Sequence, residues 1–129
     1  MDRLKEELEN ALGAHGKWKL RLRHAVHTGQ CDIDVHTASS DCHCAFGKWI
    51  HHHGHDLQRH THYQSVKTLH TEFHHRAGQT LAAALSGHQE KALKDLGLEG
   101  DFSRVAAKLT LEILNWLRQV EQHTAHSRC

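Results

Sequence analysis

The sequence contains no proline among its 129 residues, so it lacks the residue that interrupts helices most strongly. No stretch approaches the roughly 18 consecutive apolar residues of a membrane-spanning helix. Basic and acidic residues nearly cancel, 16 against 15, so the chain has no strong basic character with which to bind nucleic acid. These absences exclude a transmembrane protein, argue against a nucleic-acid-binding protein and favour a helical fold.

The N-terminus, from Met1 to Glu7, is charged and lacks the long apolar run of a secretory signal. We therefore expect a cytoplasmic protein. Its length predicts one domain over residues 1–129, because chains of about 100 to 200 residues usually form a single core. In a reducing compartment, cysteines that occur with many histidines are more often metal ligands or redox groups than disulfide partners. The four cysteines are Cys31, Cys42, Cys44 and Cys129.

Apolar residues recur at steps of three and four in three long stretches, which is the pattern of amphipathic helices. The first stretch begins near Asp2 and ends near Thr28, the next runs from Val66 to Leu85, and the last runs from about Asp101 to Val120. These three stretches predict the long helices of the protein.

Two shorter helices are predicted between the long ones. The N-cap residue types at 39–41 predict a helix that continues through Ile50. A capping box at Ser86-Gly87-His88-Gln89 predicts a brief helix over Lys91 to Leu96. We therefore predict an all-α protein, an antiparallel four-helix bundle with a short extra helix.

Histidine is the unusual residue of this chain, which contains 17 of them. They are densest from His51 to His62, a segment that we interpret as a solvated loop, although its imidazoles could also bind further metal. The mixed, polar residues 30–39 predict a crossover loop.

Three histidines lie on predicted core faces. His70 and His74 are one helical turn apart and face the same way, which lets both bind one ion. His15 lies in the apolar stripe of the first helix, and neutral imidazoles buried together need partners that a single zinc ion provides. A fourth ligand is expected from the run Cys42-His43-Cys44, whose members helical periodicity does not separate.

Three short motifs follow one another along the chain: Ala14-His15-x-x-Trp18-Lys19, Cys44-Ala45-Phe46-Gly47-Lys48-Trp49 and His70-Thr71-Glu72-Phe73-His74-x-x-Ala77. In this order and spacing they resemble the chemoreceptor zinc-binding domain, or CZB domain, and the resemblance extends from about Leu8 to Trp116. It implies a helical bundle, commonly homodimeric, in which three histidines and one cysteine hold one zinc ion. By position, it assigns the zinc ligands to His15, Cys44, His70 and His74, and it selects Cys44 over Cys42.

A zinc ion with four protein ligands leaves no position for an activated water, so we do not expect an enzyme. The resemblance implies a sensor of zinc availability and of hypochlorous acid. Members of this family are usually attached to a chemoreceptor or a diguanylate cyclase, for which this chain has no room. We therefore expect a regulatory module that acts in trans on such a partner. Apolar residues left beside the core stripes, such as Leu20, Leu111 and Leu114, favour a homodimer.

Two alternatives compete with the hypothesis of a zinc-sensing regulatory module. One is a histidine-rich buffer or chaperone for zinc or nickel, in which residues 51–62 matter more than the core histidines. The other is a di-iron carboxylate bundle, which needs two Glu-x-x-His pairs. Only Glu72 and His75 have that spacing, and Glu72 is predicted to face away from the ligands, which argues against di-iron chemistry.

Overall fold

The computed structural model describes the backbone of residues 2–127 and the side chains of residues 3–122, so Cys129 lies outside the described residues. Every regular element in that part of the chain is a helix, which confirms the predicted fold class. None of the described helices has the combination of length and apolar character needed to cross a membrane. In chain order they are α1 (Asp2–Thr28), α2 (Val35–Ser39), α3 (Ala45–His52), α4 (Gly54–Leu57), α5 (Tyr63–Leu85), α6 (Gln89–Leu96) and α7 (Asp101–Ser127).

The three long helices pack against one another, and α5 also contacts α2 and α6. Their apolar stripes meet in a common core, as the steps of three and four predict. Each large apolar side chain removed from water stabilises the fold by about 1.5–3 kcal/mol. The most deeply buried apolar side chains include Leu8, Leu22, Phe73, Leu81, Phe102, Ile113 and Trp116.

The prediction of an uninterrupted crossover loop over residues 30–39 is wrong, because this segment contains helix α2. Asp34 is the N-cap of α2, and its carboxylate accepts a hydrogen bond from the amide of Thr37 at 2.7 Å. The short helix lies very close to α5: a Cβ atom at Gly78 would lie 1.8 Å from Ser39 Oγ. Glycine at position 78 therefore allows α2 to pack on α5.

The predicted start of the next helix is also displaced. Helix α3 begins at Ala45, with Cys44 as its N-cap, instead of near Ser39, Ser40 or Asp41. The polar side chains of these three residues have other partners. Ser40 accepts from the amide of Cys42, Ser39 Oγ donates to the carbonyl of Val35, and the Asp41 carboxylate accepts from Thr71.

The predicted capping box before α6 does not form. Ser86 Oγ donates to the carbonyl of Ala82 at 2.7 Å, which closes the end of α5 instead. The side chain of Gln89 donates instead to the carbonyl of Val26, near the end of α1, at 3.0 Å. The long-range bond fastens α6 to the end of α1, so tertiary packing overrides the local capping pattern.

Candidate metal centre

Four side chains converge inside the bundle between α1, α3 and α5. They are His15 on α1, Cys44 at the start of α3, and His70 and His74 on α5. Their ligand atoms all lie within 4.8 Å of one another. The three histidines are 7%, 1% and 1% exposed, in chain order, whereas Cys44 is half-buried. The structure therefore brings together the four residues that the sequence predicted as zinc ligands.

Four of the six separations between the donor atoms lie near those expected around a tetrahedral zinc ion, and the other two are within 4.8 Å. Bond lengths of about 2.0–2.1 Å to nitrogen and 2.3 Å to sulfur imply separations of about 3.3 Å between nitrogens and about 3.6 Å between nitrogen and sulfur. His70 Nε2 lies 3.1 Å from His15 Nε2 and 3.2 Å from His74 Nε2. Cys44 Sγ lies 3.3 Å from His70 Nε2 and 4.0 Å from His15 Nε2. Small adjustments would place these atoms around one ion.

A backbone contact determines which ring nitrogen of His74 presents its lone pair to the cluster. His74 Nδ1 lies 3.1 Å from the carbonyl oxygen of Ala38. Because a carbonyl oxygen only accepts, Nδ1 carries the proton and Nε2 presents its lone pair toward the other ligands. Metal-binding histidines usually have such a partner on the second nitrogen. Helix α2, which carries Ala38, therefore orients a candidate ligand.

Cys44 is held in place by the first turn of α3. The amide of Gly47 donates to Cys44 Sγ at 3.3 Å, so the sulfur caps the helix as well as facing the histidines. A Cβ atom at Gly47 would lie 1.6 Å from the carbonyl oxygen of Asp41 and 3.2 Å from the ring of His70. Glycine is thus required for this turn to pack beside the cluster.

Aromatic rings surround the cluster and keep it in an apolar environment. Phe73 lies 5.0 Å from the His15 ring, Phe46 lies 5.2 Å from that of His70, and Trp18 lies 5.8 Å from that of His74, measured between ring centroids. Charged imidazoles are costly in such surroundings.

Burial keeps the three imidazoles neutral, and repulsion from neighbouring histidines adds to this effect at His15 and His70. Burial, reinforced by neighbouring histidines, lowers the pKa of His15 to about 4 and that of His70 to about 2. Burial also lowers the pKa of His74, against the opposing effects of the Ala38 carbonyl and Asp41. Neutral imidazole is the form that binds metal, so these histidines are ready for a cation at neutral pH.

Burial acts on the thiol in the opposite direction, because it raises the pKa of Cys44. A cation at the cluster would favour the thiolate and offset this effect. The donor set therefore consists of three neutral imidazoles and one thiol whose deprotonation depends on the bound ion, a set that fits zinc.

The structure separates the three candidates for the fourth ligand that the sequence pattern left open. Cys42 and His43 are exposed, and Cys44 alone of the three belongs to the buried group. Residues that support the cluster were not predicted: the carbonyl of Ala38, the close approach at Gly47 and the Asp41–Thr71 hydrogen bond. The Asp34-x-x-Thr37 capping pattern was a signal for α2, but backbone carbonyl contacts leave no mark in a sequence.

The remaining candidate residues lie at the surface. Glu72 and His75 are on the exposed side of α5, away from the cluster, as predicted for Glu72. His51, His52 and His55 are exposed around the end of α3 and in α4, and His53 is half-buried. Among the described residues, only one other group of three or more potential ligands is close enough to hold a metal: Asp41, Cys42 and His51.

Residues 15–81, just over half of the chain, match the family model of the chemoreceptor zinc-binding domain. The chain therefore belongs to the chemoreceptor zinc-binding domain family. The matched segment includes all four residues of the buried cluster. No curated protein and no solved structure matches the chain.

Proposed function

We propose that this protein is a zinc-responsive regulatory module in which His15, Cys44, His70 and His74 hold one zinc ion and signal its presence to a partner. The observation that carries the proposal is the convergence of three buried imidazoles and one thiol within 4.8 Å. Four protein donors complete a closed tetrahedral site, which favours a structural or sensing role over catalysis.

The ligands connect helices that are distant in sequence, and this gives the site a route to a structural response. His15 lies on α1, Cys44 caps α3, and His70 and His74 belong to α5, which packs on both α1 and α2. A zinc ion held by these residues would bind the three neutral imidazoles and would favour the thiolate of Cys44. When the ligands separate, α3 loses its metal-mediated connection to α1 and α5 and keeps its apolar contacts, and we expect the surface formed by these helices to change.

Cys44 also makes the module sensitive to oxidants. It is the least buried of the four candidate ligands and the one with a readily oxidised atom. Hypochlorous acid takes two electrons from the thiolate sulfur. Its chlorine leaves as chloride, and its hydroxyl group bonds to the sulfur, which becomes a sulfenic acid. The oxidised sulfur is a poor zinc ligand, so oxidation weakens the site.

Oxidant-triggered release of zinc tests this role. Wild type loaded with one equivalent of zinc, which fills the tighter buried cluster, is expected to release zinc to a chromogenic chelator when treated with a small excess of hypochlorous acid. Cys44→Asp is expected to retain zinc without releasing it, because a carboxylate binds zinc at about 2.0–2.2 Å and resists oxidation.

Cys42→Ala is the matched control, since Cys42 is two residues away and exposed. It is expected to release zinc like the wild type. If Cys42→Ala abolishes release while Cys44→Asp releases zinc like the wild type, the ligand assignment is wrong by two residues.

The output surface that we propose is a homodimer interface along α1 and α7, through which the module acts on a signalling partner in trans. Leu20 and Leu111 are 68% and 57% exposed. Leu111 and Leu114 line a groove between α1 and α7 that also reaches His15. A second copy seated here would contact the element that carries a zinc ligand.

Sedimentation of the zinc-loaded protein tests the dimer. The wild type is expected to be dimeric at micromolar concentration, and Leu111→Glu is expected to be monomeric. Leu98→Glu is the control, because Leu98 is 94% exposed between α6 and α7, outside the groove. A zinc-loaded wild type that stays monomeric contradicts this route from metal to output.

A further inference from the structure

A second group of metal-binding side chains lies at the surface beside α3. Asp41 and Cys42 precede the helix, and His51 lies in its last turn. Their ligand atoms all lie within 4.8 Å of one another. Asp41 Oδ2 is 3.5 Å from His51 Nε2, and Asp41 Oδ1 is 3.3 Å from Cys42 Sγ. The group shares no residue with the buried cluster.

Asp41, the central member of this group, is held in place before any ion binds. Thr71 Oγ1 donates to Asp41 Oδ2 at 2.5 Å, and Thr71 follows His70 on α5. The backbone carbonyl of Asp41 lies against Gly47 in the first turn of α3. The side chain of Asp41 is 18% exposed, whereas Cys42 and His51 are both exposed, so Asp41 is the most buried member of the group.

The donor types select the class of cation. An imidazole nitrogen, a thiol sulfur and a carboxylate oxygen together match borderline divalent ions such as zinc or cobalt(II). Magnesium and calcium prefer oxygen ligands alone. Three protein donors at an exposed position leave the remaining coordination to water.

We propose that Asp41, Cys42 and His51 form a second, surface site for a divalent zinc-like cation. On binding, the thiol proton of Cys42 passes to solvent and the sulfur bonds to the metal. This site binds more weakly than the buried cluster, because it has three protein donors and stands open to water. It also differs from the other histidines of the segment 51–62 in having a sulfur ligand, which gives it a separate spectroscopic signature.

Titration of the metal-free protein with cobalt(II) tests the proposal, because sulfur-bound cobalt absorbs through thiolate-to-metal charge transfer. The wild type is expected to show two successive increases in this absorption, one per equivalent. Cys42→Ser is expected to lose only the second, weaker increase. Cys44→Ser is expected to lose only the first.

His51→Gln is expected to raise the cobalt concentration at which the second increase occurs by at least about tenfold, because one ligand is lost. His52→Gln is the matched control, since His52 is the next residue, is also exposed and lies outside the group. It is expected to leave both increases unchanged. Circular dichroism of each variant verifies that the helices are retained.

The proposal is overturned if the wild type shows a single thiolate increase, or if the second increase survives in Cys42→Ser. A wild type that lacks the Cys44-dependent increase but retains the Cys42-dependent one contradicts the buried zinc site instead. The two sites are therefore tested independently.

Discussion

Two groups of histidines in this molecule differ in how the sequence and the fold arrange them. The segment from His51 to His62 contains six histidines, and the imidazoles of His51, His52 and His55 are exposed. The buried cluster takes His15 and His70 from positions 55 residues apart and places their Nε2 atoms 3.1 Å from each other. The histidines of the segment 51–62 do not meet at one point, whereas those of the buried cluster do.

The difference shows that the number of histidines in a segment is a poor guide to a metal site. In the segment 51–62, the exposed imidazoles meet solvent, while His62 contacts the carboxylate of Glu112 and His60 lies beside the ring of Trp116. In the cluster, burial lowers histidine pKa values, aromatic rings exclude water, and the Ala38 carbonyl orients one ring. A tight site depends on this preparation of the donors before the ion arrives.

The largest expected effect that separates the two groups is the pH dependence of metal-free stability. The buried imidazoles have pKa values below the unfolded value of about 6.5, so the unfolded chain binds more protons in acid. Stability is fully present above about pH 6.5 and is lost as the pH falls toward the folded values, about 4 for His15 and about 2 for His70. The loss between pH 7 and pH 5 is about 2 kcal/mol for each of these two residues.

Denaturant unfolding in the presence of a chelator measures this dependence. The exposed histidines His24 and His27 of α1 serve as controls, and their replacement by Gln is expected to leave the pH dependence unchanged. A metal-free protein with equal stability at pH 7 and pH 5 would show that the cluster histidines are not buried in neutral form.

The next effect is the loss of zinc affinity in His70→Ala. Structural zinc sites contribute about 10–16 kcal/mol, so one of four ligands accounts for about 3 kcal/mol, or about two orders of magnitude in affinity. Competition with a chelator measures the change. His75→Ala, on the exposed side of the same helix, is expected to bind zinc like the wild type. Equal losses in both variants would remove the distinction between the buried and exposed imidazoles.

A smaller effect is expected from Gly47→Ala, which tests the packing that positions Cys44. The added methyl group would meet the Asp41 carbonyl, so the free energy of unfolding should fall by about 1–3 kcal/mol. Gly13→Ala in α1 meets no atom within 4 Å and should stabilise the protein by about 0.5–1 kcal/mol. Thermal unfolding of the two variants compares them, and a Gly47→Ala variant as stable as the wild type contradicts the close approach.

The smallest effect is expected when His51, His52, His53 and His55 are all replaced by Gln. The tight zinc step should stay within a few-fold of the wild type, while weaker binding to this segment disappears. A chelator titration separates the two. Several equally tight equivalents in the wild type, lost together in the variant, would favour the histidine-rich metal buffer over the single core site.

Much of the fold was predictable because the long helices carry regular apolar stripes and the chain has no proline to interrupt them. The errors fall where tertiary contacts replace local ones. Gln89 bonds to the distant carbonyl of Val26 instead of forming a capping box, and α2 depends on the close approach at Gly78.

The candidate site was predictable as a set of four residues only through the family resemblance. Helical geometry did not separate Cys42 from Cys44, because both precede the first residue of α3 and the rotation of 100° per residue does not apply to them. Cys44 faces the histidines because it caps the helix through the Gly47 amide. The supporting partners, Ala38 and Asp41, come from a segment whose contacts with α5 are set by the fold.

X-ray absorption spectroscopy of the protein loaded with one equivalent of zinc tests the central claim most directly. The account predicts a four-coordinate ion with one sulfur at about 2.3 Å and three imidazole nitrogens at about 2.0–2.1 Å, and the sulfur is expected to vanish in Cys44→Ala but persist in Cys42→Ala. A sulfur-free shell of imidazoles and water in the wild type would contradict it, because the first zinc ion would then occupy surface histidines.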